Sequence, residues 1–314
     1  MKHRFLLFVL GALFISLLFY VLKAGIFKNR ESLSSNNQGI IVTASFFPLA
    51  EFAKQVGGEK VTVVNLTPAG VEPHDFEPTP QDLVKIQRSK LFIYNGAGFE
   101  PWVEKTLPDI ESSETVTVDS SQGISSLLAG TEEEREEESL FDPHVWLDPA
   151  LAGQQVDNIK DGLAQADPSN KSFYETNAAH YKQELADLDE EFREGLASCK
   201  SRNMIASHNA FTYLANRYDL NIVSISGLSP NEEPSPKRLA EIADFARQNN
   251  VKYIFFEMLV QPRLSETIAR EVGAQTLVFN PLEGLTDEEI AQGENYLSVQ
   301  RKNLSNLRTA LDCK

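Results

Sequence analysis

The stretch Val71-Glu72-Pro73-His74-Asp75-Phe76-Glu77-Pro78-Thr79-Pro80 lies between an apolar strand pattern, Val61–Leu66, and a helix that restarts at Thr79. Proline fixes φ and restricts the residue before it, so Glu72 and Glu77 are pushed towards extended conformations. His74 is thereby predicted to sit in a stiff, irregular loop at the carboxyl end of a strand. Alone, such a histidine is either solvated at the surface or placed to bind. The chain repeats the device. In Phe141-Asp142-Pro143-His144-Val145-Trp146-Leu147-Asp148-Pro149 the prolines 143 and 149 frame His144. His208 follows the strand-like Asn203–Ala206 in Ser207-His208-Asn209-Ala210-Phe211. There are only five histidines, and three of them end strand-like segments in this way.

Outward from the His74 loop, strands and helices alternate. Ile40–Ala44 reads as a strand, and Phe47–Val56 as a helix ending at Gly57-Gly58. Thr79 is a candidate N-cap with Pro80 in the first turn, and Leu83, Val84 and Ile86 form the apolar face of the helix Thr79–Arg88. Strands follow at Leu91–Tyr94 and Thr115–Val118, with a helix starting over Pro101–Leu107 between them. Such alternation predicts a parallel sheet with helices on both faces and a ligand site at the carboxyl ends of the strands.

Two helices fill the middle of the chain, Pro149–Ala166 and Asp167–Ser198, the second with Asp167-Pro168 as cap and first residue. Apolar positions Phe173, Tyr174, Ala178, Tyr181, Leu185, Leu188, Phe192 and Leu196 step by three and four along it. At about 1.5 Å per residue it is a rod of roughly 45 Å, long enough to join two lobes. His180 lies between these positions and reads as structural or solvated. A second alternating half follows, with strands Asn203–Ala206, Asn221–Ile225, Tyr253–Phe256 and Gln275–Phe279. Helices Ala210–Arg217, Pro236–Gln248 and Arg263–Val272 separate them, and Ser298–Asp312 closes the chain. The expected fold is α/β, two Rossmann-like lobes with parallel sheets joined by one long backbone helix. The expected division is 1–39 signal anchor and tether, 40–166 N-terminal lobe, 167–198 connecting helix and 199–314 C-terminal lobe.

Composition narrows the partners. The chain has 314 residues, 42% hydrophobic and 24% charged, as a folded protein should. A net charge of −16 argues against nucleic acid, which calls for clustered Lys and Arg. Lys2 and Arg4 precede Phe5–Leu22, 18 apolar or weakly polar residues that end before Lys23. That is just enough helix to cross a bilayer core of about 30 Å. With no clear small-x-small cleavage site and no cysteine for a lipid, the segment is read as an uncleaved signal anchor. A cleaved signal peptide is the rival reading. Lys28–Gly39 is then a flexible tether, and the remainder is extracytoplasmic. That location permits a disulfide between Cys199 and Cys313, which follow two long helical patterns; two free thiols are the alternative. The acidic run Thr131–Ser139 is a solvated loop or a weak cation-collecting one before His144.

His74, His144 and His208, drawn from two lobes, converge naturally on an interlobe cleft. Imidazole suits zinc, copper, nickel and iron, and a closed zinc site takes four ligands. Glu283, after a proline at the end of the last strand, is the candidate fourth. Glu257, after Tyr253–Phe256, is the other candidate or a carboxylate that orients a ligand, and water is the third option.

The segments 72–80, 142–149, 207–211 and Asn280-Pro281-Leu282-Glu283 together resemble the cluster A-I metal-binding proteins of ABC importers, over roughly residues 40–312. These are the zinc- and manganese-binding receptors of the high-affinity zinc uptake and adhesin-like families. The resemblance implies a metal buried between two lobes, with ligand positions at His74, His144 and His208. Manganese-type members usually carry Glu at the third position, so His208 indicates the zinc type. Many members have Asp where this chain has Asn280, and the fourth ligand carries over to Glu283. Two departures are the absence of a His-rich loop before the second ligand and the apparent membrane anchor. The expected function is a monomeric extracytoplasmic receptor, not an enzyme, that captures Zn2+ for an ABC permease with its ATPase. A Mn2+ receptor is the nearest alternative. A zinc hydrolase lacks Gly-x-Ser-x-Gly or His-Glu-x-x-His signatures here, and no feature argues for a surface adhesin.

Overall fold

In the first sheet, strands β1 (Ile40–Ala44), β2 (Val61–Asn65), β3 (Leu91–Tyr94) and β4 (Val116–Asp119) run parallel in the order β2-β1-β3-β4. The structure is a computed structural model and describes residues 39–125 and 141–314. A second parallel sheet repeats the winding with β5 (Asn203–Ala206), β6 (Asn221–Ser224), β7 (Tyr253–Phe256) and β8 (Gln275–Val278) in the order β6-β5-β7-β8. In each sheet the chain steps to one side of its first strand and then returns on the other. The resulting switch point leaves a crevice at the carboxyl ends of the strands.

Strand side chains alternate between faces, so each sheet is covered twice. Helices α1 (Phe47–Gly57), α2 (Pro80–Arg88), α3 (Pro101–Glu111) and α4 (Pro149–Ala166) belong to the first lobe. Phe92 of β3 packs with Ile86 of α2 and with Trp102, Val103 and Ile110 of α3. Val42, Ala44, Leu91 and Ile93 instead face α1, α4 and the long helix α5 (Lys171–Leu196). The second lobe adds α6 (Thr212–Tyr218), α7 (Pro236–Gln248), α8 (Arg263–Val272), α9 (Asp287–Ala291) and α10 (Tyr296–Ala310). There Ile205, Ile225 and Ile254 meet α7 and α8 through Ile242, Ala246, Ile268 and Ala269. Met204, Ala206 and Phe255 turn the other way. They share one continuous core with the inner face of the first sheet, built along Tyr174, Tyr181, Leu185, Leu188, Phe192 and Leu196 of α5. The long helix thus joins the two lobes, each buried large side chain contributing about 2 kcal/mol.

Some helix boundaries depart from the sequence reading for local reasons. The α5 helix starts at Lys171, because Pro168–Asn170 is a 3-10 turn. Asp167 stands at the N-cap of that turn. Its carboxylate accepts from the Ser169 hydroxyl (2.5 Å), the Asn170 amide (2.6 Å) and the Tyr174 hydroxyl (2.8 Å). The α10 helix starts two residues before Ser298, because Asn295 and Ser298 form a reciprocal capping box. Helix α9 was not read from the sequence; Thr286 and Glu289 cap it the same way. His180 is solvated as expected, its side chain exposed beside Glu184. Cys199 and Cys313 are bridged and tie the chain just after α5 to the chain just after α10.

Among the described residues no helix is long and apolar enough to cross a membrane. The expected anchor Phe5–Leu22, most of its tether and the acidic run Thr131–Ser139 lie outside the described residues.

Candidate metal centre

Each of the four side chains proposed from sequence arrives on a loop that its neighbours stiffen. After β2, the Glu72 carboxylate caps the single turn Pro73–Asp75 by accepting from the His74 N–H at 3.2 Å. His144 does not follow a described strand. It stands at the entry of the turn Val145–Leu147, which leads into α4 through the N-cap Asp148. Asp142 Oδ1 lies 2.9 Å from the His144 backbone nitrogen and 2.8 Å from its Nδ1. His208 follows β5, and its Nδ1 is 2.6 Å from Oε1 of Glu257, which follows β7 and also takes the Ser207 hydroxyl. Glu283 follows β8 beyond Leu282, a non-glycine residue at φ 60°. The Asn280 side chain holds that turn by accepting from the Leu282 N–H at 2.7 Å.

These loops bring His74, His144, His208 and Glu283 together, with one donor atom from each lying within 4.8 Å of all the others. Glu283 Oε1 is 3.1 Å from His208 Nε2, 3.2 Å from His144 Nε2 and 3.4 Å from His74 Nε2. His74 Nε2 is 3.2 Å from His144 Nε2. The side chains of His144, His208 and Glu283 are fully buried, whereas that of His74 is 11% exposed. Glu257 is not in the cluster; it sits behind His208. The Asn280 side chain is engaged with Leu282 and Glu289.

Electrostatics divide the imidazoles. Burial holds His74 below the ordinary histidine value despite its contact with Glu283. Burial also opposes protonation of His144 and His208, but the carboxylates outweigh it. Asp142 and Glu283 hold His144 above the usual value, and Glu257 and Glu283 hold His208 well above it. Glu283 would be raised by burial, yet the imidazoles of His208, His144 and His74 pull it well below the carboxylate range. Burial, with Glu283 nearby, pushes Glu72 up to about 9. Glu283 Oε2 is buried with no hydrogen-bond partner among the described residues.

Ionised carboxylates only accept hydrogen bonds, so Asp142 and Glu257 fix the ring hydrogens of neutral His144 and His208 on Nδ1. Both Nε2 lone pairs then point at the cluster. The arrangement can bind a borderline-soft cation through three nitrogens and one oxygen. Sequence reasoning did not assign the roles of Asp142, Glu72, Ser207 and Asn280. The first two carried a readable signal, an acid two residues before each Pro-flanked histidine.

Residues 42–310 match the family described as ZnuA, zinc-uptake complex component A, periplasmic. The high-affinity zinc uptake system protein ZnuA of Bacillus subtilis (strain 168) is 39% identical over 313 residues, covering 97% of this chain and 97% of its own length. The zinc-binding lipoprotein AdcA of Streptococcus pneumoniae (strain R6) is 40% identical over 278 residues, 86% of this chain and 56% of AdcA. The chain therefore spans about half the length of AdcA. The crystal structure of Zn(II)-bound AdcA from Streptococcus pneumoniae superposes with a TM-score of 0.76 at 40% identity, over 88% of this chain and 58% of that one.

Proposed function

We propose a zinc receptor, because this chain belongs to the zinc-uptake complex component A (ZnuA) family. It captures Zn2+ outside the cytoplasm and delivers it to an ABC-type permease with its ATPase. The proposed ligands are Nε2 of His74, His144 and His208 and the carboxylate of Glu283. The observation that carries this reading is the convergence of three imidazoles and one carboxylate on a single buried point. Tetrahedral ligands at about 2.0–2.2 Å from zinc stand roughly 3.3–3.6 Å apart. Four of the six donor pairs are separated by 3.1, 3.2, 3.2 and 3.4 Å, and all six lie within 4.8 Å. Three imidazoles suit zinc better than an oxygen-preferring cation such as Mn2+. With Glu283 as fourth ligand the site is closed, and no position remains for the water that a zinc hydrolase activates. The chain is therefore read as a carrier, not an enzyme.

The same reading makes the chain a monomer divided at the boundaries expected from sequence, 40–166, 167–198 and 199–314, with both lobes contributing ligands to one cleft. Its membrane attachment is proposed to be the segment Phe5–Leu22, retained as an anchor. A relative is named a lipoprotein, which supports attachment at the membrane. An intact mass of membrane-extracted protein lacking the first 22 residues would sink the anchor.

The decisive experiment is metal content of the fragment beginning at Gly39, beside Glu283→Ala and His208→Ala. About one zinc per chain, lost or sharply weakened in both variants, is expected. Zinc retained tightly by Glu283→Ala would refute the closed site. Manganese bound in preference to zinc would refute the receptor's proposed cargo.

A further inference from the structure

The C-terminal helix α10 carries a buried polar stripe. Tyr296, Gln300 and Asn303 are all fully buried or nearly so. They stand at i, i+4 and i+7, hence on one face. A polar face turned into a core calls for partners, because each unpaired group costs its full desolvation. Beyond the bonds the three make with one another, from the Gln300 amide to the Tyr296 hydroxyl and from the Asn303 amide to Gln300 Oε1, their partners lie in the two loops that bear His144 and Glu283. The Tyr296 hydroxyl donates to Trp146 O at 2.5 Å, and the Gln300 amide donates to Leu147 O at 3.3 Å. Both carbonyls belong to the turn that follows His144 directly.

Asn303 serves the other loop. Its Oδ1 accepts from the Asn280 N–H at 2.9 Å, and its Nδ2 donates to Asn280 O at 2.7 Å. One side-chain amide thus reads both backbone groups of one residue. Asn280 in turn uses its side chain to hold Leu282 in the left-handed conformation that precedes Glu283. A direct strut closes the ring, since Trp146 Nε1–H donates to Pro281 O at 2.8 Å. The helix is fixed at its start by the Asn295 cap and tied just beyond its end by the Cys199–Cys313 bridge.

We infer that Tyr296, Gln300 and Asn303 are positioning residues for the metal site, setting His144 against Glu283 at the spacing a small tetrahedral cation requires. None of the three is in the ligand cluster. They act through backbone groups two to three residues away from a ligand, so their effect is on where the donors stand rather than on what they are. This rests on the zinc reading above. Its distinct content is that metal affinity and metal discrimination depend on α10.

The test compares Asn303→Leu and the doubly conservative Tyr296→Phe/Gln300→Met with Leu307→Ala, in the protein beginning at Gly39. Leu307 is a buried core residue of the same helix that has no bond to either loop. Three quantities are read: the zinc dissociation constant by chelator competition, the zinc-to-manganese affinity ratio, and thermal stability without metal. The expected result is a loss of zinc affinity of about 10- to 100-fold in both stripe variants, the range found when groups supporting ligands are removed. The zinc-to-manganese ratio falls with it. Leu307→Ala loses as much or more thermal stability and keeps its zinc affinity within about threefold. Stripe variants that bind zinc like the wild type, or a Leu307→Ala that weakens it equally, would overturn the inference. A metal-independent reading separates the two proposals. Amide exchange at Leu282 and Leu147 in metal-free protein is expected to quicken in the stripe variants and not in Leu307→Ala. If the wild type bound no zinc, the receptor reading would fall, while the exchange pattern would still decide whether α10 positions the loops.

Discussion

Two tripeptides of the same form, Glu72-Pro73-His74 and Asp142-Pro143-His144, deliver histidines to one site, and the structure treats them differently. Asp142, one methylene shorter, takes both the backbone N–H and the ring Nδ1 of its histidine. Glu72 takes only the backbone N–H, and no group among the described residues bonds the Nδ1 of His74. His144 is fully buried, whereas His74 is 11% exposed. The carboxylates hold the protonated form of His144 in place, whereas burial disfavours that form of His74. The pattern acid-Pro-His therefore places a ligand but does not say how firmly it is held. His144 and His208 form a preorganised pair with acids behind them, and His74 is the loosely backed ligand at the solvent edge.

The largest effect that can break this contrast is removal of the ligands themselves. A four-ligand zinc site is worth roughly 10–16 kcal/mol, so an anchored ligand carries about 3 kcal/mol, on the order of a hundred-fold in affinity. His144→Ala is expected to lose that much by competition against a zinc chelator. His74→Ala should lose only about tenfold, because water can reach its position and take its place. Equal losses would erase the distinction between anchored and edge ligands.

Next in size are the acids. Asp142→Asn replaces an obligatory acceptor with an amide that can leave the His144 hydrogen misplaced, and a loss of about 10- to 100-fold in zinc affinity is expected. Glu72→Gln should stay within about threefold. Burial and Glu283 push Glu72 up to about 9, so near neutrality it is already uncharged, and glutamine keeps the oxygen that accepts from the His74 N–H. A strong loss in Glu72→Gln would mean that its charge, not its cap, serves the site.

How much of this was readable depends on how local each cause is. Strands and helices follow from periods of two and three-to-four residues, so Leu91–Tyr94, Pro149–Ala166 and Pro236–Gln248 could be read to the residue. The α5 helix starts later than read because Asp167-Pro168 opens a 3-10 turn, Pro168–Asn170, before it. His74 and His144 were legible from their proline frames and His208 from the strand before it, and the Asp142–His144 tie lay two residues away. Glu257 was legible at the end of a strand as a carboxylate that orients a ligand, but its partner His208 lies 49 residues away, and Asn303 lies 23 residues from Asn280. No local pattern carries such pairings. Reading α10 from Ser298 also left Tyr296 outside the helix.

The smallest effect is on the stability of the metal-free protein, where the two histidines have opposite signs. The folded values of His144 and His208 are raised. Their contribution is fully present below the unfolded value of about 6.5 and is lost as pH rises through the folded values. The lowered value of His74 works the other way, its contribution being lost as pH falls. Glu72, pushed up to about 9, adds to the loss on the alkaline side. Metal-free protein should therefore melt higher at pH 6 than at pH 8.5. Asp142→Asn is expected to shrink that difference by about 1 kcal/mol, or roughly 2–4 °C, since one pKa unit is worth 1.36 kcal/mol. His74→Gln should leave the difference intact or enlarge it. Saturating zinc reverses the slope, because the cation competes with protons for the same lone pairs and binds more tightly as pH rises. A metal-free melting temperature that climbs from pH 6 to pH 8.5 would show that the acids do not hold His144 and His208 protonated, and the contrast between the two tripeptides would reduce to burial alone.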